Sequence, residues 1–375
     1  MIFPQDDYLG HQSAGSFAEP AIADTPHAIF TERYWYTGTI VPEGDFVFDA
    51  GLGYYANRRI MDGFIGVTVD GVQHVYRASR QCHGDALDAY IGAIRITVLS
   101  GMGSHRLELG PNDSELSLDL TFHGAMEPND EGRDRLIRHG ELVADVSRYV
   151  QLGHYTGWVQ LGKRRYTIEG TQCWGARDRS WGLRTEARAD PSVLPVTRFR
   201  PLLFTWICAQ FETHGIHAFL KERAPGDVRF LAADEAYPLG QGKPSRRIIE
   251  INHDFKFDET DRWGQHLKGG TLALKYADGT QRRLRIRALP GRFYLKAGMY
   301  GGCDGWFQGD DKGILYEEAV RWDHADANIR TKLRTLADQV IEFTDDEGRV
   351  GYGTIQGGLS EGYPKYTEVQ HLPVI

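Results

Sequence analysis

Residues 105–122 read HRLELGPNDSELSLDLTF. Leu107 and Leu109 fall on one phase of a two-residue period. After Pro111-Asn112-Asp113 the alternation resumes at Leu116, Leu118, Leu120 and Phe122. Alternation on both sides of a turn signal predicts a β-hairpin with one apolar and one polar face. The plan recurs along the chain. Residues 271–288 turn at Asp278-Gly279, 62–77 at Asp70-Gly71 and 155–170 at Gly162-Lys163. Asp-Gly between alternating segments is among the strongest local hairpin signals. Residues 246–259 alternate Ile249, Ile251, His253, Phe255 and Phe257. Many short antiparallel strands, with 44 glycines to bend them, predict an all-β chain of barrels or sandwiches and no βαβ rhythm.

Helical period is scarce. Ile329, Leu333 and Leu336 predict a helix over 326–340, and residues 136–150 are a weaker helical candidate. At 375 residues two domains are expected. The proline-rich stretch ARADPSVLPVTRFRP (187–201) is the best boundary. It leaves an irregular arm (1–30), a first β-barrel domain (31–192) and a second (200–375).

A net charge of −8 argues against nucleic acid as a partner. No signal peptide is evident at the N-terminus, and no run approaches the roughly 18 apolar residues of a membrane span. Cys82, Cys173, Cys208 and Cys303 are far apart, which fits free thiols in a cytoplasmic protein. Aromatic residues at 11% suit a hydrophobic small-molecule ligand. Homo-oligomerisation is left open. No dinucleotide, P-loop, serine-hydrolase or zincin motif occurs, so no cofactor is expected. Glu212, His214 and His217 lie within six residues, yet no further ligand clusters with them and no metal site is assigned. His253 reads as a hydrogen-bonded core histidine, and Cys82 with His83 and Asp85 as an ordinary loop.

The densest chemistry is WGARDRSWGLR (174–184). If the segment is extended, Trp174, Ala176, Asp178 and Ser180 share one face, in phase with Tyr166 and Ile168. Arg177, Arg179 and Trp181 share the other. In a barrel interior, burial would keep the Asp178 carboxyl protonated, a proton donor to an alkene or a leaving hydroxyl. An indole face could stabilise a cation. The alternative is a clasp in which an arginine pairs with Asp178 and lowers its pKa. Local physics leaves the two readings open.

The stretch GHYTGWVQLGKRRYTIEGTQCWGARDRSWGLR (153–184) resembles the carotenoid 1,2-hydratase (hydroxyneurosporene synthase) and AttH-like superfamily, through Asp178-Arg179-Ser180-Trp181-Gly182. Residues 305–323 and 348–366 resemble its second half. The resemblance implies two lipocalin-like antiparallel β-barrel domains side by side, and bulky apolar ligands. It places the proton donor at Asp178. Arg177 and Arg179 depart from the hydratase pattern, and an arginine-lined pocket would suit a substrate carboxylate or enolate. The expected activity is a cofactor-independent lyase or isomerase acting on a terpenoid, steroid or polyketide by acid catalysis. The alternatives are a pericyclase or cyclase, and a non-catalytic lipocalin-like binding protein. Asp178, Arg177 and Trp174 are the catalytic candidates. Trp181, Arg184, Tyr55, His154, Tyr155, Trp158, Asp304 and Trp306 are the candidates for substrate binding.

Overall fold

A computed structural model describes residues 2–10, 29–83, 88–138, 141–184, 202–258, 266–333 and 336–369. The boundary stretch near residues 190–200, residues 11–28 of the arm, and Asp85 lie outside the described residues. The chain is all-β, built as two lipocalin-like antiparallel units.

The first unit is a 13-stranded sheet. It contains β1 (Ile29–Ile40), β2 (Val47–Tyr55), β3 (Ile60–Val69), β4 (Val72–Gln81), β5 (Tyr90–Ile91), β6 (Ile94–Ser100), β7 (Ser104–Leu109), β8 (Leu116–Gly124), β9 (Asn129–Arg138), β10 (Glu141–Leu161), β11 (Arg164–Ile168) and β12 (Cys173–Arg184). The second is a closed barrel of β13 (Leu203–Gln210), β14 (Gly215–Glu222), β15 (Val228–Ala236), β16 (Arg246–Phe257), β17 (Leu267–Tyr276), β18 (Gln281–Tyr294), β20 (Ala337–Asp345) and β21 (Val350–Leu359). Between β18 and β20, β19 (Leu315–Asp323) leaves the barrel and pairs with β4, becoming an edge of the first sheet.

The founding hairpin forms β7 and β8. Leu107, Leu109, Leu116, Leu118, Leu120 and Phe122 are all buried in the first core, beside Tyr34, Tyr36, Phe48 and Tyr155. The alternation of β16 is interrupted where the register shifts between Ile248 and Glu250. That irregularity buries Ile248 and leaves Ile249 half exposed, so the expected inward phase begins only at Ile251. Neither helical expectation survives intact. Residues 136–150 are divided between β9 and β10, and the helix of 326–340 shrinks to α1 (Ala327–Lys332), capped by Asp326. From Ala337 the chain is a strand, because its hydrogen bonds to β18 and β21 close the barrel. Tertiary pairing overrides the local period.

A third apolar core fills the seam between the units. The first sheet contributes Trp35, Phe64, Val150, Leu152 and Trp174, and the barrel's outer face contributes Trp206, Cys208, Phe219 and Val340. All four cysteines are buried and none forms a disulfide. Among the described residues no helix is long and apolar enough to cross a membrane.

Candidate functional site

The strand β12 lies between β1 and β10, so both its hydrogen-bonding edges are paired and its side chains point to the two faces of the sheet. The expected alternation holds within it, but its direction is reversed. A 3-10 turn at Gly170–Gln172 separates it from β11 and changes the phase. Tyr166 and Ile168 therefore pack on the first core, whereas Trp174 and Ala176 pack in the seam. Asp178 stands opposite Trp35 and Val150, both seam residues. It faces the second unit rather than the interior of the first.

The interior is taken by the arginines. Arg177 is 1% exposed and donates to Asp7 at 2.6 and 3.1 Å and to Gln151 at 3.1 and 2.8 Å. Arg179 donates to Glu32 at 2.7 Å and to the carbonyls of Asp6 and Tyr8 at 3.1 and 3.2 Å, with Tyr34 beneath its guanidinium. Asp7 also accepts from the Tyr149 hydroxyl and the Met102 amide, and lies 3.2 Å from His105. Part of the supposed irregular arm is thus a 3-10 segment, Pro4–Asp7, held by the barrel's arginines. The arginine clasp expected at Asp178 is not formed by Arg177, which pairs with Asp7 instead. Arg177 therefore does not orient the Asp178 carboxyl.

Around Asp178 the seam is polar on one side and aromatic on the other. The Ser180 hydroxyl donates to its Oδ1 at 3.3 Å, and Arg184 donates to that hydroxyl at 2.6 Å. Trp35 meets Trp206 edge to face at 5.2 Å. Beyond them lies Glu131 of β9, fully enclosed. It accepts from Trp206 Nε1 at 2.9 Å, His217 Nε2 at 2.8 Å and Arg148 at 3.3 Å. These environments drive two neighbouring carboxyls apart. Burial pushes Asp178 up, and nearby Glu131 adds to this against Arg148, Arg184 and Arg33. Burial also acts on Glu131, but Arg148 and the His217 and Trp206 bonds outweigh it and hold that carboxyl below its ordinary range.

The other candidates are scattered. Tyr55 joins the seam at its far end, where it donates to Asp62 at 3.0 Å and accepts weakly from Arg33 at 3.5 Å. Trp174 shares the face of Asp178, four residues away. Trp181 turns to the opposite face against Met102 and Tyr149, and Tyr155 is inside the first core with its hydroxyl on the Ala176 carbonyl. His154 stacks on His123, and Trp158 lies under Arg165, both away from the seam core. Asp304 pairs with Lys332 at 2.6 Å, and Trp306 lies under Arg77. The structure thus groups Asp178, Arg184, Trp174 and, through Arg33, Tyr55. It does not group Arg177, Trp181, His154, Tyr155, Trp158, Asp304 or Trp306 with them.

Sequence reasoning missed Glu131, Arg148 and Trp206. His217 appeared only as a metal candidate, and it faces Glu131 while His214 contacts Arg282 and Phe211. Among the described residues no three side chains are arranged to hold a metal ion. His253 is hydrogen-bonded in the second core, to Glu222 and Tyr366 at 2.7 Å each. A small apolar pocket opens at one end of the second barrel between Leu203, Phe255, Phe257, Leu267 and Leu359, separate from the Asp178 group.

The chain belongs to a family of unknown function (DUF8625), whose model matches residues 2–358. No curated protein is significantly similar to it. Among solved structures it is similar to an AttH-like protein of Nitrosomonas europaea, at 12% identity over 88% of this chain and 92% of that one, with a TM-score of 0.53. Kievitone hydratase of Nectria haematococca aligns at 12% identity over 88% of this chain and 89% of its own, with a TM-score of 0.46. CghA with Sch210972 aligns at 12% identity over 88% of each chain, with a TM-score of 0.45. What the AttH-like protein shares with this chain at such identity is the two-unit fold.

Proposed function

We propose that the chain is a cofactor-independent lyase or isomerase that protonates a hydrophobic small molecule, a terpenoid, steroid or polyketide, in the seam between its two units. One observation carries the reading. Two neighbouring carboxyls have environments that push their proton affinities in opposite directions, the pattern of an acid beside a fixed anion. Asp178 is the proton donor. Glu131, locked by three donors, is the fixed negative charge. Trp35 is placed to line the substrate and to stabilise a cation formed on protonation. Ser180, held by Arg184, aims the Asp178 carboxyl.

The test uses ligands from those three classes, selected by thermal shift and then incubated with the chain. Wild type should convert the selected ligand. Asp178→Asn should bind it and lose about 10²–10⁴ of the rate, the usual share of a general acid. A fully active, folded Asp178→Asn ends the proposal. The seam's Trp35–Trp206 pair supports a second reading, a pericyclase that only folds its substrate. In that case Asp178→Asn keeps most of the rate and Trp35→Ala abolishes it. Ligand recovered unchanged from wild type indicates a carrier.

A further inference from the structure

A second pair of carboxyls lies in the seam, one from each unit. Asp49 of β2 stands opposite Thr37 and Gly66 in the first sheet, and Asp338 of β20 stands opposite Phe293 in the barrel. They are 0% and 1% exposed and lie within hydrogen-bonding reach of each other. Two ionised carboxylates are acceptors only, so this contact is a bond only when one of them carries a proton. Both Asp49 oxygens and Asp338 Oδ2 are buried and accept no hydrogen bond from the described residues, while Thr354 of β21 donates to Asp338 Oδ1 at 3.2 Å. The titratable groups facing the pair are Tyr155 of β10 and the Cys208 thiol of β13. No cation among the described residues acts on either carboxyl. The pair is therefore unlike Asp7 and Glu131, which bury their charge against arginine.

We propose that Asp49 and Asp338 form a proton-sharing latch that fastens the first sheet to the second barrel and loosens when the pair loses its proton. Buried like charges in contact cannot both ionise without strong repulsion. An aspartate in the unfolded chain titrates near 3.8. In the folded chain burial, then the neighbouring Asp338, pushes Asp49 well above that value, and burial pushes Asp338 up to about 6. Both folded values are raised. The pair's contribution to stability is thus fully present below about 3.8, falls as pH rises through about 6, where Asp338 ionises and one shared proton remains, and is lost through the higher value of Asp49, where that proton leaves. The latch lies one same-face row from Asp178, since Thr37 and Trp35 are two residues apart on β1. Its release would uncover the seam tryptophans Trp35, Trp174 and Trp206. Control of access to Asp178 follows if the proposed function holds, but the latch does not depend on it, and its test uses no substrate.

The experiment compares wild type with Asp338→Asn, and with Asp49→Asn as the second variant, between about pH 5 and about pH 10. Asparagine keeps the size and can donate to the remaining carboxylate. Thermal unfolding reports stability, and acrylamide quenching of tryptophan reports seam opening. Relative to Asp338→Asn, wild type should lose on the order of 2–4 °C or more of Tm on the alkaline side. Its quenching should rise over the same range, and each variant should flatten both trends. Equal pH slopes in wild type and a folded variant overturn the latch. So does wild-type quenching that is flat across the range, a measurement that stands even if neither variant folds. A Tm raised by calcium chloride in wild type and not in Asp338→Asn also overturns it, because the carboxyls would then be a cation site.

Discussion

Replacing Asp7 with alanine tests whether the N-terminal segment is part of the first unit's structure. In the folded chain the Asp7 carboxylate receives two bonds from Arg177, one from the Tyr149 hydroxyl and one from the Met102 amide, with His105 at 3.2 Å. Asp7→Ala removes all of them at once. Arg177, 1% exposed, keeps Gln151, the Met102 sulfur at 3.6 Å and the rings of Phe122 and Tyr149, none of them an anion. A buried charge left without its counterion costs about 3–5 kcal/mol. For a unit of 150–250 residues each kcal/mol moves Tm by about 2–4 °C, so the expected fall is roughly 6–20 °C. The magnitude belongs to the broken pair, not to the intact one. Asp7→Ala combined with Arg177→Met should therefore recover part of the loss, with a coupling of about 0.5–3 kcal/mol.

The assay is thermal and denaturant unfolding of the four chains of that cycle. Burial opposes the Asp7 charge, but Arg177, followed by His105 and the Met102 amide, outweighs it and holds the carboxyl far below its ordinary range. A depressed carboxylate contributes stability above its unfolded pKa of 3.8 and loses it as pH falls below that value. The wild-type advantage over Asp7→Ala should hence be constant near neutrality and shrink in strong acid. If Asp7→Ala unfolds within about 1 kcal/mol of wild type, or the double variant is simply additive, the segment is a loose tail and the clasp is wrong.

Three further outcomes follow from the same geometry. Glu131→Gln removes the anion that Arg148 and His217 face and should cost about 3–5 kcal/mol in denaturant unfolding, whatever its effect on turnover. Burial, then Arg177, depresses His105 from 6.5 to about 4, so the unfolded chain binds its proton first. The contribution of His105, read as the difference between wild type and His105→Gln, should fall as pH drops from about 6.5 to about 4, by at most about 3.5 kcal/mol at ~1.4 kcal/mol per unit. Gly182 has φ +131°, and an added Cβ would lie 2.0 Å from the Asp145 carbonyl oxygen, so Gly182→Ala should destabilise by more than about 1 kcal/mol and lower the yield of folded chain.

Period-two alternation and Asp-Gly turns are local signals, and they carried the hairpins of both units into the right elements. The alternation inside β12 was legible for the same reason, and it separated Asp178 from its flanking arginines. Which side of the sheet each set faces was not legible. That depends on the three-residue 3-10 turn at Gly170–Gln172, and a change of phase there transfers every later side chain to the other face. The partners were further out of reach. Arg177 is neutralised by a residue 170 positions earlier, Arg179 by one 147 positions earlier. A buried arginine requires a carboxylate, but its own neighbourhood does not say which one, and Asp178 was only the nearest in sequence. The same argument runs in the other direction for the site. Once Asp7 and Glu32 satisfy Arg177 and Arg179 on the inner face, those two arginines no longer hold the Asp178 carboxyl down. What then acts on Asp178 is set by the seam, where burial and Glu131 outweigh Arg148, Arg184 and Arg33. The arginine-rich flanks are therefore compatible with an acid at Asp178, because the sheet itself stands between them.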